Sequence, residues 1–436
     1  MRERKLFGTD GVRDLANTGR MTPETALKLG RAFIKFNHAS TVVVGCDTRR
    51  SCDMLCSALM AGMTSEGAKV CRVGIAPTPG VSFAIRMIKA DGGAVISASH
   101  NPAEYNGIKF LGPDGCKLSD DEELAIEDLI DAEPNHSGNT GIICDISEIT
   151  RFYAEQRASL LKPEAAIDGT AFDCANGASS LTVPVMIKHT PFSRLNTHVI
   201  AEDFDFMNIN KDCGVMHMDN LTSYVKANGL AMGFAFDGDA DRVLACDGKG
   251  RIIDGDIMLW VLGRWLKRRG NNKVVVTVMS NMALEAHLAK EGIETLRCPV
   301  GDRYVLETMR ESGAGLGGEQ SGHIIATKFT ATGDGLCTAM LFLNAVHALK
   351  EDVSTLVDRF GRYPQKLTNI TLTRPREQVD MKAVDEIVRE HTVKDGRIFV
   401  RTSGTEPLLR ILVEAPEKET VEKLSDLLAS KLEELC

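Results

Sequence analysis

Three times in this chain a short apolar, β-branched run leads into Asp or Asn and then into a helical stretch. Thr41–Gly45 is followed by C-D-T-R, Ala171–Cys174 by A-N-G-A, and Lys273–Met279 by S-N and a helical pattern over Met282–Gly292. A strand that empties into a polar turn and then a helix is the unit of an α/β domain with largely parallel pairing. At 436 residues the chain exceeds a single core, so several such domains are expected. The order changes after Gly361–Gln365, a linker containing Pro364. A strand at Lys366–Leu372, a helix at Met381–Glu390, a hairpin-like pair flanking Ser403 and Gly404, and a charged amphipathic helix from Lys418 read as α+β. The polar stretch Glu133–Thr140 and the glycine-containing turn Asp247–Arg251 mark two earlier junctions. The expected divisions are 1–150, 151–250, 251–363 and 364–436.

The net charge of −9 and the absence of a basic block argue against nucleic acid as a partner. An anionic ligand would have to rely on local arginines and backbone amides rather than on the field of the whole molecule. The twelve cysteines form no C-x-x-C pair, and Cys52 and Cys56, four apart, read as core thiols on one helix face. No apolar run opens the chain, so no signal peptide is expected. The longest apolar stretch, within Leu336–Leu349, contains Asn344 and His347 and is too short for a membrane span. A reducing, cytoplasmic location and no membrane partner are the expectation.

The segment Ile96–Pro102 reads I-S-A-S-H-N-P. An apolar run ends there in a polar loop, and Pro102 cannot continue a ladder. Ser99 and His100 are thereby placed at the mouth of a cleft. The Ser99 hydroxyl either carries a covalent group or is a small residue closing a turn. Further on, Asp237, Asp239 and Asp241 follow the apolar run Gly229–Phe236. Carboxylates at 4 Å repel by roughly 4 kcal/mol per pair at intermediate dielectric, so their convergence requires a cation. Hard oxygen donors suit Mg²⁺; the alternative is a solvated acidic turn. A calcium loop does not fit, since Arg242 and Gly248 stand where such a loop needs glycine and a bidentate acid. Arg242 can add a planar fork of donors beside the carboxylates.

In Gly317–His323, G-G-E-Q-S-G-H, the side chains of Glu319 and Ser321 would point the same way and could bind adjacent hydroxyls. A glycine-rich hairpin turn is the plainer reading. In Arg401–Thr405, R-T-S-G-T, the hydroxyls of Ser403 and Thr405, the flexible Gly404 and successive amides make a nest suited to phosphate oxygens. Arg401 and Arg410 would supply charge.

Together with F-G-T-D-G-V-R at Phe7–Arg13 and F-A-F-D-G-D-A-D-R at Phe234–Arg242, these segments, in this order, resemble the α-D-phosphohexomutase superfamily. The runs D-C-A-N-G-A (Asp173–Ala178), N-I-N-K-D-C-G (Asn208–Gly214), V-G-D-R-Y-V (Val300–Val305) and T-G-D-G-L (Thr332–Leu336) are similar to those of its bacterial phosphoglucosamine mutase branch. The resemblance implies three related α/β domains with mixed sheets and a smaller C-terminal α+β domain around a central cleft. They would carry, in order, a phosphoserine loop, a metal loop, a sugar-binding loop and a phosphate-binding loop. Ser99 would carry the phosphoryl group and join the three aspartates as a ligand of one Mg²⁺. Arg13 would face the phosphoserine. His100, Lys109 and His323 are the candidates for proton transfer, and the residues alone do not rank them.

The expected reaction is an intramolecular phosphotransfer on a hexose phosphate, through a bisphosphorylated intermediate, with a hexose 1,6-bisphosphate as activator. A phosphoglucomutase or phosphomannomutase would share the machinery, and a metal-dependent sugar phosphatase would share Ser99 and the aspartates. The oligomeric state stays open, a homodimer included. One departure is visible: Ala240 stands where the family usually has glycine. Alanine resists φ > 0 by about 1–2 kcal/mol, so an ordinary backbone region is expected there.

Overall fold

The computed structural model describes residues 6–8, 10–133, 138–373, 375, 378–402, 408–433 and 435. They form two compact units, one of Met1–Met279 with Glu291–Val357 and one of Ser280–Lys290 with Asp358–Cys436.

The first unit holds three sheets built on one plan. In the six-stranded sheet the spatial order is Val12–Leu15, Tyr105–Leu111, Gly93–Ile96, Thr41–Cys46, Lys69–Ile75 and Ile143–Asp145. Its centre is parallel, while Tyr105–Leu111 runs antiparallel to both its neighbours. The five-stranded sheet pairs Thr170–Asp173 in parallel with Thr197–Ile200 and Met232–Phe236, then adds Val243–Asp247 and Ile252–Ile253 antiparallel. The four-stranded sheet pairs Lys273–Thr277 in parallel with Glu294–Cys298 and Leu316–Gly318, and Ile324–Ala326 closes it antiparallel. Pairing is therefore more mixed than the strand–loop–helix pattern indicates, because hairpin returns leave no helical signature.

Central strands covered on both faces read as continuous apolar runs. Val42, Val43 and Val44 are all buried, the two outer ones packing on one side of the sheet with Leu29, Phe33, Leu55 and Leu59, and Val43 on the other with Val81 and Ile85. Cys52 and Cys56 lie buried on the helix Cys52–Ser65, as core thiols. Helix starts follow local chemistry. Thr22 caps Pro23–Asn37 by accepting from the Thr25 amide, with Pro at the first turn. Ser119 and Glu122 form a reciprocal capping box on Asp120–Asp128. Asp334, in the T-G-D-G-L run, caps Gly335–Leu349 and also accepts from Tyr153 Oη (2.8 Å) and Arg157 Nε (2.6 Å). That motif thus ties two helices together. No helix among the described residues is long and apolar enough to cross a membrane.

The second unit has a three-stranded antiparallel sheet, ordered Gln365–Thr371, Leu408–Glu414, Arg397–Thr402, with helices Met381–Glu390 and Lys418–Glu433. A core of Ile370, Val384, Leu409, Ile411, Val421 and Leu428 holds it together.

In each sheet of the first unit the polar segments singled out above leave the carboxyl ends of central strands. Asp47 follows Cys46, Ser97 follows Ile96, Asp237 follows Phe236 and Glu319 follows Gly318. Ligands of α/β sheets bind at that end.

Candidate active site

The strand Gly93–Ile96 and its antiparallel partner Tyr105–Leu111 pair Val95 with Lys109, and the connection between them carries Ser99. Ser99 is fully buried and left-handed, with φ 51°. A non-glycine residue there costs about 1–2 kcal/mol. Hydrogen bonds to the loop exceed that cost. The buried guanidinium of Arg49 donates to the carbonyls of Ser99 (3.0 Å), Asn101 (2.8 Å) and Tyr105 (2.9 Å), and also to that of Pro102. Asn210, from the second sheet's domain, donates to the same Ser99 (2.8 Å) and Asn101 (3.0 Å) carbonyls. Charged hydrogen bonds contribute about 1.5–3 kcal/mol each. Asp47 orients Arg49 (2.9 Å) and accepts from Ser97 Oγ (2.6 Å), which in turn accepts from the Ser99 amide (2.8 Å).

So held, Ser99 Oγ donates to Asp237 Oδ2 at 2.6 Å. Asp237, Asp239 and Asp241 are all buried, which removes the solvated-turn reading. Their oxygens lie within 4.8 Å of one another, the one such cluster among the described residues. Lys109, itself 1 % exposed, stands 3.0 Å from Asp239, 3.8 Å from Asp241 and 3.4 Å from Asp10. Burial disfavours its charge, but Asp10 and Asp239 outweigh burial and raise its pKa. Burial and the charges of Asp241 and Asp239 push Asp237 well above the usual carboxylate range. Burial also works against ionised Asp241, yet His323 and Lys109 hold it well below that range. Thr78 Oγ1 donates to Asp239 at 2.5 Å.

Asp239 Oδ1 and Asp241 Oδ1 are buried with no hydrogen-bond partner. Two buried carboxylate oxygens without hydrogen bonds, the second faced only by His323 at 3.6 Å and Arg242 at 3.9 Å, lie in a cluster of hard donors that fits a divalent cation such as Mg²⁺.

Ala240 is left-handed, with φ 52°, contrary to the ordinary region expected for alanine. The chain must reverse between Asp237 and Asp241 to bring their carboxylates together. The Ala240 amide closes that turn on the Asp237 carbonyl (3.0 Å), and its own carbonyl accepts from Gly335 (3.0 Å). The fully buried methyl offsets part of the strain, at about 0.8 kcal/mol.

His100 Nδ1 lies 3.4 Å from Ser99 Oγ and 3.2 Å from Arg242 Nη1. Burial, then Arg242 and Arg13, pull its pKa down to about 4, so the imidazole is neutral near pH 7. Arg13 donates to the Ala98 carbonyl (3.2 Å) and Asn101 Oδ1 (3.4 Å) and pairs with Asp10. The turn after Leu316–Gly318 holds Glu319 beside Ser321, with Oγ 3.3 Å from Oε2. The same turn bridges to the aspartate loop, Arg242 to His323, and the Val243 amide donates to Gly322. His323 is thereby set 3.6 Å from Asp241 and 3.7 Å from Asp302. Burial opposes its charge, but Asp241 and Asp302 raise its pKa.

The first unit thus brings together Ser99, His100, Lys109, Arg13, Arg242, His323, Glu319, Ser321 and the three aspartates. Arg401 and Arg410 face each other across the pair Arg397–Thr402 and Leu408–Glu414 of the second unit. Ser403, Gly404 and Thr405 lie outside the described residues. Sequence reasoning passed over Asp10, Arg49, Thr78, Lys117, Asn210 and Asp302. Asp10, Arg49, Asn210 and Asp302 stand inside quoted segments, whereas Thr78 and Lys117 carry no local signal.

A buried serine beside a cation-ready carboxylate cluster defines a class of phosphoryl-handling enzymes, and comparison with known proteins gives the family. Phosphoglucomutase/phosphomannomutase α/β/α domain I matches residues 4–137, domain II 161–250, domain III 254–363 and the C-terminal domain 367–431. Phosphoglucosamine mutase of Anoxybacillus flavithermus is 40% identical over 455 residues, covering 99% of both chains. That of Carboxydothermus hydrogenoformans is 42% identical over 448 residues, covering 99% of this chain and 100% of the other. A putative phosphomannomutase from Thermus thermophilus superposes with TM-score 0.80 at 25% identity, covering 98% of each. Aspergillus fumigatus N-acetylphosphoglucosamine mutase, solved with GlcNAc-6P and magnesium, shares the fold at TM-score 0.71 and 16% identity, covering 99% of this chain and 96% of the other. The chain belongs to the phosphoglucomutase/phosphomannomutase family and is a mutase of the isomerase class.

Gly238 tests the fit of the two loops. A Cβ there would stand 2.6 Å from the Ser99 carbonyl and 3.1 Å from Asn210 Nδ2. Gly238→Ala must push the serine loop away from the aspartates, and a displacement of about 1 Å lowers turnover about 100-fold. Steady-state kinetics on a variant whose circular dichroism is unchanged reads this; turnover within about threefold of wild type would contradict the contact.

Proposed function

We propose that the chain interconverts glucosamine 6-phosphate and glucosamine 1-phosphate, as a phosphoglucosamine mutase. The observation that carries the mechanism is the Ser99 hydroxyl buried against Asp237. The sugar assignment is supported by relatives 40–42% identical over nearly the whole chain.

In the resting enzyme Ser99 Oγ carries a phosphoryl group. One hydroxyl of the sugar phosphate attacks that phosphorus, the bond to Ser99 Oγ breaks, and the hydroxyl proton passes to an enzyme base. The bisphosphorylated sugar reorients and returns its other phosphoryl group to Ser99. A Mg²⁺ held by Asp237, Asp239, Asp241 and the phosphoserine would withdraw charge from the phosphorus. Lys109, boxed in by Asp10, Asp239 and Asp241, stabilises charge and is poorly placed to release a proton. Proton transfer then falls to His100, beside Ser99 Oγ, and to His323. Arg13 and Arg242 frame the phosphoryl group. Glu319 and Ser321 bind sugar hydroxyls. Arg401, Ser403, Gly404, Thr405 and Arg410 hold the second phosphate, whose binding energy favours closure and excludes water. A hexose 1,6-bisphosphate loads Ser99 when its phosphoryl group is lost. A cytoplasmic location agrees with eleven described cysteines, all free thiols. A homodimer is the proposed assembly.

Intact-mass measurement should find a fraction of the protein heavier by one phosphoryl group, mapped to Ser99. Ser99→Ala should abolish turnover; full activity would remove Ser99 from the mechanism.

Mg²⁺ should raise the melting temperature of wild type and leave that of Asp239→Asn nearly unchanged, with chelator reversing the gain. An equal shift in both proteins would place the ion elsewhere.

A hydrogen bond to the charged 2-ammonium contributes about 1.5–3 kcal/mol, or roughly ten- to two-hundred-fold. kcat/KM should favour glucosamine 6-phosphate over glucose 6-phosphate by that factor. Glu319→Gln should weaken both with little change in their ratio. Preference for glucose or mannose 6-phosphate would reassign the substrate within the family; release of inorganic phosphate as the main product would indicate a phosphatase.

A further inference from the structure

Directly after the strand that carries Lys109, the chain turns through Gly112–Cys116, and Lys117 bridges back to Leu111. Lys109 and Lys117 thereby meet the two oxygens of one carboxylate: Asp10 Oδ2 lies 3.4 Å from Lys109, and Asp10 Oδ1 pairs with Lys117. The Lys117 ammonium also reaches Asp302 Oδ2 at 2.5 Å, in the domain of the third sheet. With its side chain only 9% exposed, it is a buried cation between carboxylates of two domains.

Asp302 opens the helix Asp302–Ser312, and its segment contacts the reaction centre at two points and the serine-bearing domain at a third. Asp302 Oδ2 is 3.7 Å from His323 Nε2. The preceding amide, Gly301, donates to Glu319 Oε1 at 3.2 Å, from a backbone with φ 134° that suits glycine. Arg303 pairs with Glu123 (2.8 Å) and with Asp120, on the helix that the Ser119 capping box starts. One short segment therefore touches both the sugar-reading turn and the domain that carries Ser99.

We propose that Lys117 is a positioning residue: clamped between Asp10 and Asp302, it sets His323 and the Glu319 turn in register with Lys109 and Ser99. It touches none of the reacting atoms and acts through the two carboxylates. Removing its ammonium leaves Asp302 without its closest cation among the described residues and takes away the Asp10 Oδ1 partner, so the 301–303 segment loses the anchor nearest His323 and keeps only the Arg303 pairs with Glu123 and Asp120. Transfer to a sugar, which needs both domains in register, suffers. Loss of the phosphoryl group to water, which needs no sugar-reading turn, does not.

The inference rests on the phosphoserine reading, and the test separates the two. Phosphoenzyme radiolabelled at Ser99 is mixed with excess glucosamine 6-phosphate, and single-turnover transfer is followed beside spontaneous release of labelled phosphate without sugar. Both are rates per phosphorylated molecule, so a smaller folded fraction moves neither. Lys117→Met should slow transfer about 100-fold, the effect of a misplacement near 1 Å, with release to water within about threefold of wild type. Asp302→Asn, close in size to the native residue, should reproduce the loss, and the double variant should be no slower than the worse single one. Transfer within about threefold of wild type, equal slowing of both reactions, or additive losses in the double variant would overturn the proposal. Should Lys117→Met not fold, Asp302→Asn decides alone. Failure of wild-type enzyme to label the sugar would sink the phosphoserine reading instead.

Discussion

The buried ammonium of Lys109 is the interaction on which the site depends. Three carboxylates from one turn converge within 4.8 Å, away from water. Each close pair would repel by roughly 4 kcal/mol at intermediate dielectric. Lys109 enters from a different sheet and stands against two of them and Asp10. Arg242 and His323 add positive charge on the far side of Asp241. Lys109 and His323 come from outside the domain of the aspartate loop, so its neutralisation is completed only when the domains assemble. A cluster assembled before any ligand binds is the electrostatic preorganisation that the proposed phosphoryl transfer would use.

Backbone strain serves the same end. Ser99 and Ala240 are both left-handed. They sit on the two loops that Gly238 brings into contact. A relaxed Ser99 would turn its hydroxyl away from Asp237, and a relaxed Ala240 would splay Asp237 from Asp241. The restraints are unequal in kind: a buried arginine and an asparagine hold Ser99, whereas two backbone hydrogen bonds and a buried methyl hold Ala240. Strain concentrated on two touching loops, and over-determined by their surroundings, is the usual signature of a functional site.

Much of this was legible in the sequence, for identifiable reasons. Ser99, the three aspartates, Arg242 and the Glu319 turn all leave strand ends, where an abrupt change from apolar to polar marks them. The C-terminal α+β order was legible too, because its helices Met381–Glu390 and Lys418–Glu433 are amphipathic and its linker holds Pro364. Lys117 and Thr78 were not legible, since a lone Lys or Thr acquires a role only from partners distant in the chain. Arg49 carries no functional signal in the sequence for the same reason: the carbonyls it binds lie about fifty residues ahead. The Ala240 expectation failed because local φ preference was weighed without the turn that three convergent carboxylates impose. The mixed pairing of the sheets agrees with what the resemblance implies, whereas the strand–loop–helix pattern alone points to largely parallel pairing because a hairpin return carries no helical pattern.

The central claim is that this buried cluster makes Ser99 the carrier of the phosphoryl group. It is tested most directly by the fate of that group. Enzyme labelled only at Ser99 is given unlabelled glucosamine 1-phosphate, and the label is located after turnover. The account predicts that it appears on the sugar, entering glucosamine 6-phosphate as isomerisation proceeds. Isomerisation with the label still on the protein, or recovered only as inorganic phosphate, would contradict it.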